Sequence, residues 1–184
     1  MKEDALGTGI NCDDSIVRFY AGRGTDSSDR TIEQIWAFSY LQLEMVHDFI
    51  QWLFPLPKAS AYNPDAPLLT QRTALAFRTS EELQGRLGRS IELMLRFYGF
   101  ETVRAGDGGL SIRKTKEFSE RSRNWVTPNN HNHLRLTRIL ESTRLLGFEE
   151  FSRALFSSLD EISIMHANEI SARTVDYWRS AAGS

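Results

Sequence analysis

His47-Asp48-Phe49-Ile50-Gln51-Trp52-Leu53-Phe54-Pro55-Leu56-Pro57 puts a histidine, a tryptophan, two phenylalanines and two prolines into one short run. Reading back to Ser39, the apolar positions recur at helical spacing. Tyr40, Leu43, His47, Ile50 and Phe54 form one stripe, and Leu41, Met45, Phe49 and Trp52 form another. A helix that is apolar on two faces belongs at the centre of a bundle, so the spacing predicts one helix over 39–53. Pro55 and Pro57 stop it, because the residue before a proline is pushed out of helical geometry.

Upstream, Met1 to Asp14 is polar and glycine-containing and is expected to be loose. The acidic pair Asp13-Asp14 favours a short helix over 14–20. Gly22 to Asp29 is a loop, since no strand precedes its glycines and no Gly-Lys-Ser/Thr follows them. Downstream, Lys58 to Pro67 connects to a short helix over 69–78. Thr79-Ser80-Glu81-Glu82 is a capping box, with Thr79 as N-cap and Glu82 reaching back. The helix it opens carries Leu83, Leu87, Ile91, Met94, Leu95 and Tyr98 on one face and closes at Gly99.

Around Gly106-Asp107-Gly108-Gly109, the segments 101–104 and 110–113 are suited to pair as a small hairpin, followed by an exposed loop over 114–124. Thr127-Pro128-Asn129-Asn130 starts a further helix that stops at Gly147. Phe148, Phe151, Leu155, Leu159 and Ile162 repeat at helical spacing, and Ser171 caps a last helix carrying Val175 and Trp178. The expected fold is all-α: a compact bundle of six or so helices, with one irregular loop or hairpin insertion around residues 101–126. Residues 15–184 are expected to form a single helical domain.

Composition narrows the function classes. A hydrophobic fraction of 41% in 184 residues is enough for a real core. Twenty-two Lys+Arg against 24 Asp+Glu leave a net charge of -2, without the basic excess of a general nucleic-acid binder. Cys12 is the only cysteine, which excludes an intramolecular disulfide and a thiolate-rich zinc site. Neither a signal peptide nor a run of roughly 18 apolar residues is present, so a soluble, cytoplasmic protein without membrane insertion is expected.

Three separated blocks resemble the opioid growth factor receptor conserved-domain family. They are His47-x-x-Ile50-Gln51-Trp52-Leu53-Phe54-Pro55, then Ser80-Glu81-Glu82 leading to Glu92-Leu93-Met94-Leu95-x-Phe97-Tyr98-Gly99, and Asn130-His131-Asn132-His133-Leu134-Arg135-Leu136-Thr137-Arg138-Ile139-Leu140. Arg173-Thr174-x-x-Tyr177-Trp178 is similar to the end of the compact bacterial and fungal forms, and the likeness runs from about Arg18 to Ala182. Phe49 and Leu136 depart from the tyrosine and isoleucine common in the family. The resemblance implies a short member without the repeat-bearing tail of the animal forms. Those forms are named for binding an enkephalin-type opioid peptide at the nuclear periphery.

The candidate ligand-binding residues are His47, Gln51, Trp52, Asn129, Asn130, His131, Asn132, His133, Arg135 and Arg138. The groove they would line lies between 47–56 and the helix starting at Asn130. His131 and His133 point their rings apart on a helix start, and no carboxylate near them in sequence orients either ring, so no metal ligand is assigned. His47 sits on an apolar stripe, where a core histidine bonded to a carbonyl is the usual outcome. Arg135 and Arg138 diverge by about 60°. They are expected to differ in kind: one in a buried ion pair, with Glu92 or Asp48 as natural partner, the other reaching a polar cleft lined by Asn129 to His133.

No nucleophile elbow, catalytic residue or cofactor is assigned. The reading is a non-enzymatic binding module for a peptide or protein partner, with oligomeric state open. Its rivals are a metal-dependent or acid–base enzyme using His47, His131 and His133, and a structural scaffold.

Overall fold

Asp14 opens the first helix in the way an acidic N-cap should: one carboxylate oxygen accepts from Ile16 N at 3.0 Å and from Val17 N at 3.2 Å. In this computed structural model the described residues are 14–60, 63–104, 106 and 108–184. The expectations for Met1 to Asp13, Cys12 included, and for Asp107 at the hairpin turn lie outside them.

The order is α1 (Ser15–Tyr20), α2 (Ile32–Trp36), α3 (Tyr40–Met45), α4 (Ile50–Leu53), α5 (Gln71–Thr79), α6 (Glu81–Tyr98), β1 (Phe100–Arg104), β2 (Leu110–Lys114), α7 (Phe118–Arg121), a 3-10 turn (Ser122–Asn124), α8 (His131–Leu145), α9 (Glu149–Met165) and α10 (Ala172–Ala182). Ten α-helices among the described residues replace the six or so expected, and five of them have six residues or fewer.

The all-α expectation and its hairpin insertion both hold. β1 and β2 pair antiparallel, with Phe100 opposite Lys114 and Thr102 opposite Ile112. α8 packs against α9 and α10, the hairpin lies on α9, and α6 joins β1 to α1, α2 and α5. Large aromatics fill the interior: Phe19, Tyr20, Phe77, Tyr98, Trp125 and Trp178 are all buried. Gly99 is required twice over. Its φ of +86 suits a residue without Cβ, and an added Cβ would lie 2.8 Å from the Cα of Phe118.

Several local expectations are corrected. The 39–53 helix is not continuous. It breaks after Met45, where Val46 turns extended (ψ 129), and restarts at Ile50. The first part therefore presents Tyr40, Leu41 and Met45 to solvent, while Ile50 to Leu53 are buried all round. The apolar period survives the break, so the two pieces read as one helix in sequence.

The cap of α6 is Ser80, which accepts from Leu83 N at 3.3 Å; Thr79 ends α5 and donates back to Leu75 O. The 114–124 loop contains α7, because the half-buried Phe118 ring packs 5.3 Å from Phe100. Sequence reading missed α2, although Thr31-x-x-Gln34 spells its capping box and both reciprocal bonds form.

Candidate functional site

The start of α8 sets the geometry. Asn129 takes a left-handed turn (φ 55), and Asn130 caps the helix by accepting from Asn132 N at 2.9 Å. Its amide nitrogen donates back to Asn124 O. From there, two faces diverge. Asn132, His133 and Leu136 turn into the core, where His133 Nε2 meets Trp125 O at 2.9 Å and the ring packs edge-on to Trp178. His131, Leu134, Arg135 and Arg138, at the i, i+3, i+4, i+7 positions of one stripe, line a cavity instead.

The opposite wall comes from the broken segment. Ending α3 early and stopping α4 at a proline leave backbone carbonyls without helical donors. α8 supplies them. Arg135 donates to Leu43 O at 2.7 Å and Val46 O at 2.8 Å; Arg138 donates to Phe54 O at 3.1 Å; Ser142 donates to Pro55 O at 2.9 Å. A guanidinium forked over helix-end carbonyls also opposes the negative end of α3. These bonds hold 43–55 against α8 and shape the space beside them.

That space is about 510 Å³, lined by His47, Ile50, Gln51, Leu56, Ala59, Ser60, His131, Leu134, Arg135, Thr137 and Arg138. Its wall is mostly apolar with a few converging polar groups, the usual character of a small ligand site. Gln51 is buried, its amide nitrogen facing the carbonyls of His47 and Asp48, the orientation that satisfies both ends of the group. The His47 and His131 rings stack edge to face, 5.1 Å between centroids.

Glu44 sits behind them, 3.4 Å from His131 Nε2 and accepting from Asn132 Nδ2. Burial, then the nearby Arg135 and His47, hold His131 below the usual histidine range, against the opposing pull of Glu44. Burial likewise lowers His133, partly offset by its bond to Trp125 O. Burial also pulls Arg135 and Arg138 below the usual arginine value.

The structure thus brings together His47, Gln51, His131, Arg135 and Arg138 in one cavity wall. It does not bring the others there. Trp52 is buried against Phe19, with Nε1 donating to Ser27 Oγ. Asn129 is exposed, Asn130 is a cap, and Asn132 and His133 belong to the core.

Four expectations are corrected. His47 is exposed rather than a core histidine, because the break at Val46 swings it out of the stripe. Glu44, distant in sequence, provides the carboxylate beside His131 that local reading could not see. Neither arginine pairs with Glu92, which is exposed, or with Asp48, which is held by Arg30 and Ser28; both serve backbone carbonyls. The polar cleft of Asn129 to His133 is replaced by a cavity in which Leu134 and Thr137 take part. Leu134, missed as a site residue, was legible as the i+3 member of the His131–Arg138 stripe. Among the described residues no group of three His, Cys, Asp or Glu is placed to hold a metal ion.

Fold and site together define an all-α domain with an open, arginine-bearing groove between a broken helix and α8. Residues 13–182 match the family model described as the opioid growth factor receptor (OGFr) conserved region, and the chain belongs to that family. It is 40% identical to the opioid growth factor receptor of Rattus norvegicus over 136 residues, which are 73% of this chain and 23% of the rat protein. It is 41% identical to the Homo sapiens receptor over 124 residues, 67% of this chain and 18% of the human one. Opioid growth factor receptor-like protein 1 of Mus musculus is 33% identical over 145 residues, 77% of this chain and 30% of that protein. The chain therefore spans less than a third of the length of these relatives. No solved structure matches it. Among the described residues no helix is long and apolar enough to cross a membrane.

Proposed function

We propose that the chain is a non-enzymatic binding module whose groove, between 47–60 and α8, receives a peptide or protein partner. The observation that carries this is the cavity of about 510 Å³, open to solvent and mainly apolar, with its walls stapled by Arg135, Arg138 and Ser142. A groove held by buried charge-assisted bonds is preorganised, which lowers the ordering cost of binding. The relatives named as receptors support a binding role of this general kind; the opioid ligand in their name stays with those proteins.

The scaffold reading has one observation in its favour: Asn132 and His133 serve the core rather than the groove. Display of a random peptide library against the purified chain separates the two. Enriched peptides that bind wild type and lose binding in Leu134→Glu are expected, because Leu134 is 53% exposed on the cavity wall and tolerates a polar replacement. An exhaustive screen that enriches nothing would leave the scaffold.

A further inference from the structure

The groove also carries information about what fills it. Among the described residues its lining holds two guanidinium groups and two imidazoles but no carboxylate. Among the described residues, no acidic side chain lies within ion-pair distance of Arg135 or Arg138. Glu141 acts on Arg138 only through space, and its carboxylate is engaged by Lys58 at 3.2 Å. Arg135 has both terminal nitrogens committed, to Leu43 O, Asn132 Oδ1 and Val46 O. Arg138 has one committed among the described residues, to Phe54 O, and its remaining N–H groups can serve an acceptor in the cavity. A half-buried cation beside an apolar wall is under-solvated, and an anion brought next to it relieves that condition.

A second, separate hollow lies beside the groove at His131. Glu44, which meets His131 at 3.4 Å, also lines a second cavity of about 420 Å³ together with Tyr40, Leu41, Arg121 and Asn124. Arg121 stacks over the Tyr40 ring there, 4.5 Å from its centroid. The Glu44–His131 pair is thus a rib between two adjoining hollows, a surface for a chain that passes across rather than one that terminates.

Resting on the binding-module reading, we infer that the occupant is an internal segment of a partner protein, which sets an apolar side chain among Ile50, Leu56 and Leu134 and a neighbouring Asp or Glu carboxylate against Arg138. The apolar member supplies burial and the acidic member supplies charge complementarity and register.

The test uses the whole chain, isotope-labelled, with N-acetylated and C-amidated hexapeptides of sequence Gly-Ser-Leu-Asp-Ser-Gly, the matching Leu-Asn and Ala-Asp versions, and N-acetyl-leucine. The Leu-Asp peptide is expected to shift the Leu134 methyls and the Arg138 Nε–H, and to bind about tenfold more tightly than either variant peptide. Arg138→Gln should erase the Leu-Asp over Leu-Asn preference. Should that variant fold poorly, Leu134→Glu, which places a carboxylate in the cavity, should abolish binding with an unchanged melting temperature.

Equal binding of Leu-Asp and Leu-Asn peptides, or shifts confined to other surfaces, would overturn the inference. So would N-acetyl-leucine binding as tightly as the peptide, which would mean the site reads a chain end. If no hexapeptide binds, the library screen decides: groove binders lacking an acidic residue sink this inference and leave the module standing. A screen that yields no binder removes both.

Discussion

The Arg135 guanidinium donates to the Leu43 carbonyl at 2.7 Å, and this contact couples the end of α3 to the wall of the cavity. Leu43 lies in the last turn of a helix that stops early, and its carbonyl is buried. A buried carbonyl without a donor is costly, so the break and the arginine require each other.

Arg135→Ala should therefore destabilise the protein by about 3 kcal/mol or more, since it strands the carbonyls of Leu43 and Val46 together. Arg135→Lys should recover only part, because an ammonium cannot reproduce the planar fork. Urea denaturation of the three proteins measures this. An alanine variant as stable as wild type would mean that the broken helix needs no staple.

Trp52→Ala should cost roughly 3–5 kcal/mol, the range for emptying a large core site. The indole is 6% exposed, lies 5.2 Å from the Phe19 ring and loses its bond to Ser27. Thermal melts of Trp52→Ala and Trp52→Phe should rank alanine as much the worse. Near-equal melts would place Trp52 outside the packing.

Gly99→Ala should destabilise by about 1–3 kcal/mol. The residue must hold φ +86, and the new Cβ meets Phe118 Cα at 2.8 Å, a backbone atom that cannot swing away. Alanine at Gly85, where nothing lies within 4 Å of an added Cβ, is the control and should be neutral or slightly stabilising. If both variants melt alike, the left-handed cap is not what ends α6.

Acidification should weaken the fold before ordinary carboxylates titrate. His131 and His133 both lie below the usual value of 6.5 in the folded protein, chiefly through burial. The unfolded chain then takes up protons first. The stabilising difference is complete above about pH 6.5 and is lost as pH falls through the depressed folded values. Melting temperature should be flat from roughly pH 8 to 7 and decline below about 6.5. His131→Gln should remove part of that slope. A melting temperature that rises on acidification over this range would show that the folded histidines prefer their charged form.

Much of this was legible in the residues. Apolar period and caps agree over 81–98 and 131–145, and Gly99, Asn130 and Ser171 mark boundaries that the helices keep. Misreadings cluster where a distant partner decides. Val46 leaves the helix although its neighbours keep helical spacing, and its carbonyl is met by a guanidinium far along the chain. Glu44 and His131 are likewise invisible to each other in sequence.

The amino-acid sequence by itself determined the helical class, the hairpin insertion and the family, because these rest on local period, capping chemistry and motif order. Tertiary structure alone decided which face of α8 meets the broken helix. It made Arg135 and Arg138 donors to carbonyls rather than ion-pair partners, and it placed His47 at a cavity rather than in the core. The reason is that an orphaned carbonyl or a buried charge takes whatever partner packing brings within about 3 Å, and no local pattern encodes that distance.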